Sequence, residues 1–292
     1  MTRAMRVLIV NPFASGVSER RLAAVQAALP AGTETALTQA QGDATELARE
    51  WSSRAEAIYV FSGDGTYNEV INGVSGDVAL GFIPGGGTSV LPRALGLPRD
   101  PARAAELIAS GRPRRISLGV INGRRFAFNA GIGFDAELVR KVDGLGRRAD
   151  GKRPGDVRFA FTVVRTLAEH RLRYDPLLEI EGLGRAAFVL IANCSPYTYA
   201  GRLGLRIAPN ASFEGGLDIV APREVRMRAI PRLATQAVRG GHGSRDVLTG
   251  HDLDRILLRC DRPMPVQVDG EDIGDVVEAE ILAERDALTV LC

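Results

Sequence analysis

The feature that most constrains the fold is the stretch from Ala57 to Gly73, AIYVFSGDGTYNEVING. Its apolar start, Ala57–Phe61, has the composition of a short buried strand. The next four residues, SGDG, break that pattern with residues that tolerate a sharp turn. Thr66 and Glu69 have the spacing of a capping box, so we expect a helix to begin at Thr66. A strand, a glycine turn and a helix N-terminus with outward amide groups form a favourable site for phosphate.

A second loop of the same type follows the next predicted strand. Ala79–Ile83 is apolar, and residues 84–89, PGGGTS, add three glycines and two hydroxyl side chains. Loops at the carboxyl ends of neighbouring parallel strands lie together, where open α/β sheets bind ligands. Asp64 in the first loop would repel an anion that came alone, which favours Mg²⁺ bridging nucleotide phosphates. A tight turn that binds nothing is the alternative for either loop taken by itself.

Composition sets broad limits on the class of protein. The 292 residues are 45% hydrophobic, enough for a large core and two domains. A formal net charge of +2 gives no reason to expect a nucleic-acid partner. Cys194, Cys260 and Cys292 have neither metal-site nor disulfide spacing, so we expect a reducing cytoplasm. No stretch approaches about 18 uninterrupted apolar residues. Asn11-Pro12 interrupts the first apolar run, which we interpret as a strand and not as a signal peptide.

The order of the predicted elements gives the fold class. Up to about Gly111 the pattern is βαβαβαβαα, typical of a doubly wound, mainly parallel α/β sheet. From Arg114 onward, short β-type runs separated by turns predict a β-rich, antiparallel, sandwich-like domain. We therefore expect an α/β nucleotide-binding domain at residues 1–113 and a β-rich domain at 114–292. The C-terminal strand could return to the first domain.

Local signals add detail to both domains. Ser18 and Asp100 have N-cap chemistry, and Asp43 with Glu46 predicts another capping box. Helices are expected at Ala136–Val142, Val157–Glu169 and Ile230–Arg239, and the turn dipeptides Asn122-Gly123 and Asp269-Gly270 predict hairpins. Two interpretations of Asp135 stay open, as the N-cap of Ala136–Val142 or as a catalytic residue. The predicted strands of the second domain are Ile116–Ile121, Arg125–Asn129, Leu177–Ile180, Ala187–Ala192, Leu205–Ala208, Leu217–Ala221, Arg255–Cys260, Val266–Asp269, Val277–Leu282 and Ala287–Leu291.

Residues 140–173 are rich in arginine and lysine with few acids. Two interpretations stay open: a solvated, flexible connection, or a surface that rests on anionic lipid headgroups, where each basic contact contributes about 1 kcal/mol. His170, His242 and His251 are isolated in the sequence, and we expect them at the surface or as caps.

Five motifs in order resemble the diacylglycerol kinase catalytic-domain family, which includes bacterial lipid kinases and sphingosine kinases. They are Asn11-Pro12-x-x-Ser15-Gly16, Ser62-Gly-Asp-Gly-Thr-Tyr-Asn-Glu69, Phe128-Asn-Ala-Gly-Ile-Gly-Phe-Asp135, Ile207-Ala-Pro-Asn-Ala211 followed by Gly216-Leu217, and Asp269-Gly-Glu271. The resemblance covers nearly the whole chain. It implies a nucleotide-binding α/β domain followed by a β-rich, lipid-binding domain.

The resemblance also implies an activity, namely transfer of the γ-phosphate of ATP, with Mg²⁺, to the hydroxyl of a diacylglycerol-like or sphingoid lipid. Glu271 would be the general base, and Asp64 would act in catalysis through Mg²⁺, by way of water or phosphate. The residues implied to hold the nucleotide are Asn11, Thr38, Ser62, Gly63, Asp64, Gly65, Thr66, Asn68, Gly86, Gly87 and Thr88. The enzyme would be cytoplasmic and peripherally bound to the membrane, its partners would be ATP and the lipid, and a homo-oligomer is compatible with the sequence.

Two departures from the family pattern keep alternatives open. Ser89 and Val90 stand where the family has Asn and Asp, and Glu214-Gly215-Gly216 stands where it often has Asp-Asp-Gly, which argues against a second, structural Mg²⁺. One alternative is a kinase of a soluble substrate, like NAD kinases and phosphofructokinases. The other is a nucleotide- or lipid-binding protein that has lost catalysis. Asp64 and Glu271 are both present, and they favour the lipid kinase.

Overall fold

A computed structural model describes residues 5–144, 162, 165–170, 173–201, 203–240 and 245–292. The described chain divides into two compact units. The first runs to Ile116 and includes Asp286–Cys292, and the second lies within Ser117–Arg285. Most of the predicted helix Val157–Glu169, much of the basic segment 140–173, and His242 lie outside the described residues.

The first unit is an α/β structure built on parallel strands. Its strands are β1 (Met5–Val10), β2 (Glu34–Leu37), β3 (Ala55–Ser62) and β4 (Ala79–Pro84), and its helices are α1 (Glu19–Ala28), α2 (Asp43–Ser52), α3 (Asp64–Gly73), α4 (Val90–Ala94) and α5 (Pro101–Ser110). The strands pair in the order β2-β1-β3-β4, all parallel, and Val290 near the C-terminus pairs in parallel with Leu80 of β4. The predicted element order and fold class are confirmed.

The core of this unit explains why its strands are so apolar. Val7 to Val10 of β1 and Ile58 of β3 are completely buried, as expected for parallel strands covered on both faces. Burial of each such side chain contributes roughly 1.5–3 kcal/mol. Trp51 of α2 is also buried, and the guanidinium of Arg54 lies 4.3 Å from the centre of its ring. Trp51 is therefore a core residue, as predicted.

Two of the predicted caps are correct. The Ser18 hydroxyl accepts from the Arg21 amide at 3.4 Å, and Asp100 accepts from the Arg103 amide at 3.0 Å. Both act on the amide three residues ahead, so local sequence determines them.

The two predicted capping boxes are wrong, because a glycine is the N-cap of each helix. Helix α3 begins at Asp64 with Gly63 as N-cap, so Thr66 lies inside the first turn. Helix α2 has Gly42 as N-cap, in the left-handed region at φ 92°. The Asp43 carboxylate points back and accepts from the amides of Gln39 and Ala40, at 2.8 and 2.9 Å.

The second unit is rich in antiparallel β-structure. Its elements, with β5 leading in from the first unit and β18 running on into it, are β5 (Pro113–Ile121), β6 (Arg124–Phe126), β7 (Asn129–Ile132), α6 (Phe134–Gly144), β8 (Arg173–Tyr174), β9 (Leu178–Ile180), β10 (Gly184–Ala186), β11 (Val189–Ala192), β12 (Thr198–Ala200), β13 (Leu203–Leu205), β14 (Leu217–Pro222), β15 (Val225–Arg226), a 3₁₀ turn (Met227–Ala229), α7 (Ile230–Arg239), β16 (Val247–Leu253), β17 (Arg255–Val268) and β18 (Glu271–Leu291). The main sheet has the order β16-β14-β11-β7-β17-β18 with antiparallel pairs.

Several boundaries predicted for this unit are wrong. The four predicted strands after Arg255 are two long strands, β17 and β18, which bend and shift register instead of stopping. The predicted strand Leu205–Ala208 is displaced to β13, and β16 was not predicted at all. Helix α7 has the predicted bounds, and both turn dipeptides adopt the positive φ angles of tight hairpins.

In the described part of the chain, no helix combines the length and the apolar character needed to cross a membrane.

Candidate active site

Three glycine-containing loops of the first unit meet backbone to backbone. The Gly16 amide donates to the Gly85 carbonyl at 2.8 Å, and the Gly85 amide donates to the Ser62 carbonyl at 2.6 Å. A Cβ atom on Gly16 would lie 2.7 Å from the Gly85 oxygen, and one on Gly86 would lie 2.8 Å from the Cα of Gly63. Any side chain at these positions would force the loops apart, so their approach requires glycine.

A hydroxyl-rich cluster ties the first loop to the end of β1. Ser62 Oγ donates to Thr66 Oγ1 at 2.8 Å, and Asn11 Nδ2 donates to the same oxygen at 3.3 Å. Gly65 and Thr66 lie in the first turn of α3, and no described residue accepts a hydrogen bond from their amides. The helix N-terminus therefore presents donors to a ligand.

Thr38 follows β2 and Asn68 lies in α3, and both are buried. The Thr38 amide donates to the Val10 carbonyl at 2.9 Å, and its side chain is almost inaccessible. Asn68 is fully buried one turn into α3 and accepts from Asn72 Nδ2 at 3.2 Å. Burial suits both residues to supporting the loops, and their direct contact with a nucleotide stays a prediction.

Asp64 joins the first glycine loop to the second. Its two carboxylate oxygens accept from the backbone amides of Val90 and Leu91, at 3.0 and 3.2 Å. Ser89, the residue before α4, has φ 48°, which turns these amides toward Asp64. Val90 acts here through its backbone, so this contact does not depend on which side chain stands at position 90.

A pocket of about 180 Å³ opens beside the second glycine loop. Its walls include the backbone of Gly86–Ser89 and three arginine side chains, and none of the described residues that line it is acidic. Arg21 Nη1 donates to the Gly16 carbonyl at 2.9 Å, which holds this guanidinium against the first loop. Arg93 and Arg99 come from α4 and from the loop before α5. Amides and guanidinium groups around a small cavity favour phosphate.

The sequence did not single out Arg21, Arg93 or Arg99 as site residues. Arg21 and Arg99 lie 78 positions apart. Because nearly all basic residues of the chain are arginine, the sequence does not distinguish these three from the others. The available signal was position: Arg93 follows the second glycine loop by one helical turn, and Arg21 follows Gly16 by five residues.

In the second unit, Glu271 is held by a tightly fixed hairpin. Asp269 and Gly270 have φ 49° and 79°, and together they join β17 to β18. The Asp269 carboxylate accepts from the amides of residues 127, 128 and 129, at 2.7, 2.9 and 3.2 Å. The Gly270 amide donates to Gln267 Oε1 at 2.8 Å. Asp269 is thus a structural anchor that leaves Glu271 as the partly exposed carboxylate of the turn.

Two arginines orient the carboxylates that follow this turn. Arg124 Nη2 donates to Glu271 Oε2 at 2.8 Å. Arg140 of α6 donates to both oxygens of Asp272, at 2.6 and 2.9 Å, and to Asp275 at 2.6 Å. Sequence reasoning did not identify Arg124, which lies 147 positions from its partner. Its guanidinium balances the charge of Glu271 and restricts its rotamers.

A buried polar network lies beneath the hairpin and includes Asp135. Gln267 Nε2 and the Tyr197 hydroxyl each donate to Asp135 Oδ2 at 2.7 Å, and Gln267 Nε2 also contacts Asn129 Oδ1 at 3.0 Å. Burial raises the pKa of the Asp135 carboxyl, although the hydrogen bonds from Tyr197 and Gln267 oppose the rise. The prediction that Asp135 is the N-cap of α6 is wrong: it lies in the first turn, and its carboxylate serves this network.

The structure therefore brings the predicted residues of the first unit together around the glycine loops. Glu271 lies in the second unit, and its approach to the nucleotide stays a prediction. Among the described residues, no group of three or more His, Cys, Asp or Glu side chains is arranged to hold a metal ion.

Comparison with known proteins agrees with this architecture. The family model for the diacylglycerol kinase catalytic domain matches residues 6–121, and that for the YegS C-terminal NAD kinase beta sandwich-like domain matches residues 129–292. A diacylglycerol kinase of Bacillus subtilis (strain 168) is 30% identical over 247 residues, which cover 82% of this chain and 79% of the relative.

Solved structures share the whole fold. The crystal structure of a Bacillus anthracis protein described as a diacylglycerol kinase matches with a TM-score of 0.76 at 25% identity, covering 100% of this chain and 98% of that one. An NAD kinase from Archaeoglobus fulgidus, solved in complex with ATP, has the same fold with a TM-score of 0.51 at 12% identity, over 99% and 94% of the two chains. The fold and the glycine-loop site thus define a two-domain kinase.

The matches to both family models and to the B. subtilis relative show which kinase family this is. The chain belongs to the diacylglycerol kinase family of bacterial lipid kinases, which confirms the resemblance seen in the sequence.

Proposed function

We propose that the protein is an ATP- and Mg²⁺-dependent kinase that transfers the γ-phosphate to the hydroxyl of a diacylglycerol-like or sphingoid lipid. The observation that carries the proposal is the meeting of three glycine loops beside an arginine-lined pocket, in a chain of this family. Loop amides and guanidinium groups provide the positioning and charge stabilisation that phosphoryl transfer requires.

The nucleotide site is assigned to the first unit. Gly63, Gly65, Thr66, Gly86, Gly87 and Thr88 contribute loop backbone near the phosphates, with Asn11 and Ser62 fixing the Thr66 hydroxyl. Thr38 and Asn68 are assigned to the same site, Thr38 through its bond to Val10 at the end of β1 and Asn68 through its position in α3. Arg21, Arg93 and Arg99 bind phosphate oxygens from the other side of the second loop.

The donor groups present fit a Mg²⁺ that arrives with the nucleotide. The Asp64 carboxylate lies where the two glycine loops meet and accepts from the amides of Val90 and Leu91. Such a carboxylate can contact a hydrated Mg²⁺ held mainly by phosphates. When bound, Mg²⁺ neutralises the charge of the transferring phosphoryl group.

Glu271 is proposed as the general base. Its carboxylate takes the proton of the lipid hydroxyl while that oxygen forms the new bond to the γ-phosphorus. The bond from the γ-phosphorus to the bridging oxygen breaks, and ADP leaves with that oxygen. Arg124 keeps the carboxylate oriented.

We propose further that the enzyme works in the cytoplasm, at the membrane surface. Met227 is 62% exposed and lies between the exposed residues Arg226 and Arg228, directly before α7. An exposed apolar side chain flanked by arginines suits an anionic lipid interface.

The direct test is transfer from γ-³²P-ATP, with Mg²⁺, to a panel of lipids in mixed micelles, with NAD and sugar phosphates present as soluble acceptors. We expect label in one lipid that extracts into organic solvent. Label only in NAD or a sugar phosphate would contradict the lipid acceptor and favour a kinase of a soluble substrate. No label anywhere, with ATP still bound, would favour a binding protein without catalysis.

A further inference from the structure

A second pocket, of about 500 Å³, lies entirely within the second unit on one face of the β14–β16 strand pair. Ile219 pairs with Gly250 and Val220 pairs with Thr249. Because side chains alternate along each strand, Asp218 and Val220 share this face with Thr249 and His251. The segment Ala208–Asn210 and Gly240, at the end of α7, complete the walls. The volume is within the range of small-molecule sites.

The floor of this pocket contains a buried carboxylate that is only half satisfied. Asp218 is 5% exposed, and its Oδ1 accepts from His251 Nδ1 at 2.7 Å and from the Asp252 amide at 3.1 Å. Within the part of the chain that the structure describes, no group donates to Oδ2. Oδ2 is not among the enclosed polar atoms that lack a partner, so it opens to the pocket, where a ligand or water can donate to it.

His251 strengthens the same preference. Since the carboxylate accepts from Nδ1, the neutral ring carries its proton there and leaves Nε2 as an acceptor. Two acceptors, Asp218 Oδ2 and His251 Nε2, thus lie in one pocket whose other walls include the apolar side chains of Ala208 and Val220. The walls suit a hydrocarbon segment, and the two acceptors suit hydroxyl or ammonium groups.

We propose that this pocket binds an amphiphile with a hydrogen-bond-donating head, a hydroxyl- or ammonium-bearing lipid, by contact of the head with Asp218 and His251. The inference deepens the proposed function, on which it rests for the lipid class. The lipid has two possible sources: the acceptor of the phosphoryl group, or a second lipid that is not phosphorylated.

The test compares two soluble probes by isothermal titration calorimetry on the full chain. Monooctanoylglycerol carries two hydroxyls, whereas methyl octanoate has the same acyl chain and none. The wild-type protein should bind monooctanoylglycerol at least ~10-fold more tightly, the effect of a hydrogen bond to a charged group. Asp218→Asn should reduce that preference below ~3-fold, because the charged acceptor is gone.

Thr249→Trp should abolish binding of both probes by filling the pocket. Thr249 is exposed on a strand that tolerates aromatic residues, so this variant remains informative if Asp218→Asn does not fold. Asp246→Asn removes an exposed carboxylate that pairs with Arg232 and does not line the pocket, and it should bind both probes as the wild type does. Equal wild-type affinity for the two probes, or unchanged binding by Thr249→Trp, would overturn the proposal.

The transfer assay then identifies the source of the lipid. A raised KM for the acceptor in Thr249→Trp, with the KM for ATP unchanged, assigns the pocket to the acceptor. Lost probe binding with an unchanged acceptor KM assigns it to a second lipid. Probe binding without any phosphoryl transfer would contradict the proposed kinase activity and support lipid binding in the pocket. Phosphoryl transfer without probe binding would contradict only lipid binding in the pocket.

Discussion

Replacing Asp64 with Asn tests the physical link between the two glycine loops. In the wild type, one carboxylate accepts two amides, from Val90 at 3.0 Å and Leu91 at 3.2 Å. Asn has one carbonyl oxygen, so one amide loses its acceptor and the other loses a charged one. A hydrogen bond to a charged group contributes roughly 1.5–3 kcal/mol, so we expect the free energy of local opening of α4 to fall by about 2 kcal/mol.

Native-state hydrogen exchange measures this directly, because a change of about 2 kcal/mol in local opening accelerates exchange by roughly 30-fold. The accelerated amides should be those of Val90 and Leu91, and ATP affinity should fall with them. Asp77→Asn is the matched control: that carboxylate pairs with Arg115 and Thr289 in the same unit, away from α4. Exchange at Val90 and Leu91 equal to that of the wild type would refute the capping role of Asp64.

Three further predictions concern single side chains. Arg99→Met should weaken ATP binding about tenfold and leave adenosine binding unchanged, since a phosphate contact is lost; equal losses for both ligands would contradict this. Arg124→Met should lower turnover about tenfold at an unchanged KM for ATP, with partial recovery in Arg124→Lys, and normal turnover would exclude a positioning role. Because the pKa of the Asp135 carboxyl is raised in the folded protein, this group stabilises the fold fully below the usual carboxyl pKa of 3.8, and the stabilisation is lost as the pH rises through the folded-state pKa. The free energy of unfolding of Asp135→Asn, measured in urea, should not show this loss. The same pH dependence of the unfolding free energy in both proteins would contradict the prediction.

Local sequence predicted the parts of the fold that depend on neighbouring residues. Ser18 and Asp100 cap helices through the amide three residues ahead, and Asp269-Gly270 turns because both residues tolerate positive φ. The approach of the glycine loops followed from the rule that ligand loops gather at one edge of a parallel sheet.

The errors occur where distant residues compete for a side chain. Thr66 does not cap α3, and its hydroxyl accepts from Ser62 and Asn11. The contact of Asp64 with the amide of Val90, 26 residues away, was not predicted either. Strand β16 contains Gly250 and Asp252, which disfavour a strand by themselves, and it forms because β14 offers an open edge. The arginine pocket combines three distant segments, so no local pattern identifies it.

We propose that the protein phosphorylates a lipid with Glu271 as the base, and Glu271→Gln tests this most directly. Transfer from γ-³²P-ATP to the lipid acceptor should fall at least ~10²-fold, because Gln cannot take the hydroxyl proton, while the Kd for ATP stays at the wild-type value. Lipid turnover equal to that of the wild type at an unchanged Kd for ATP would contradict the account.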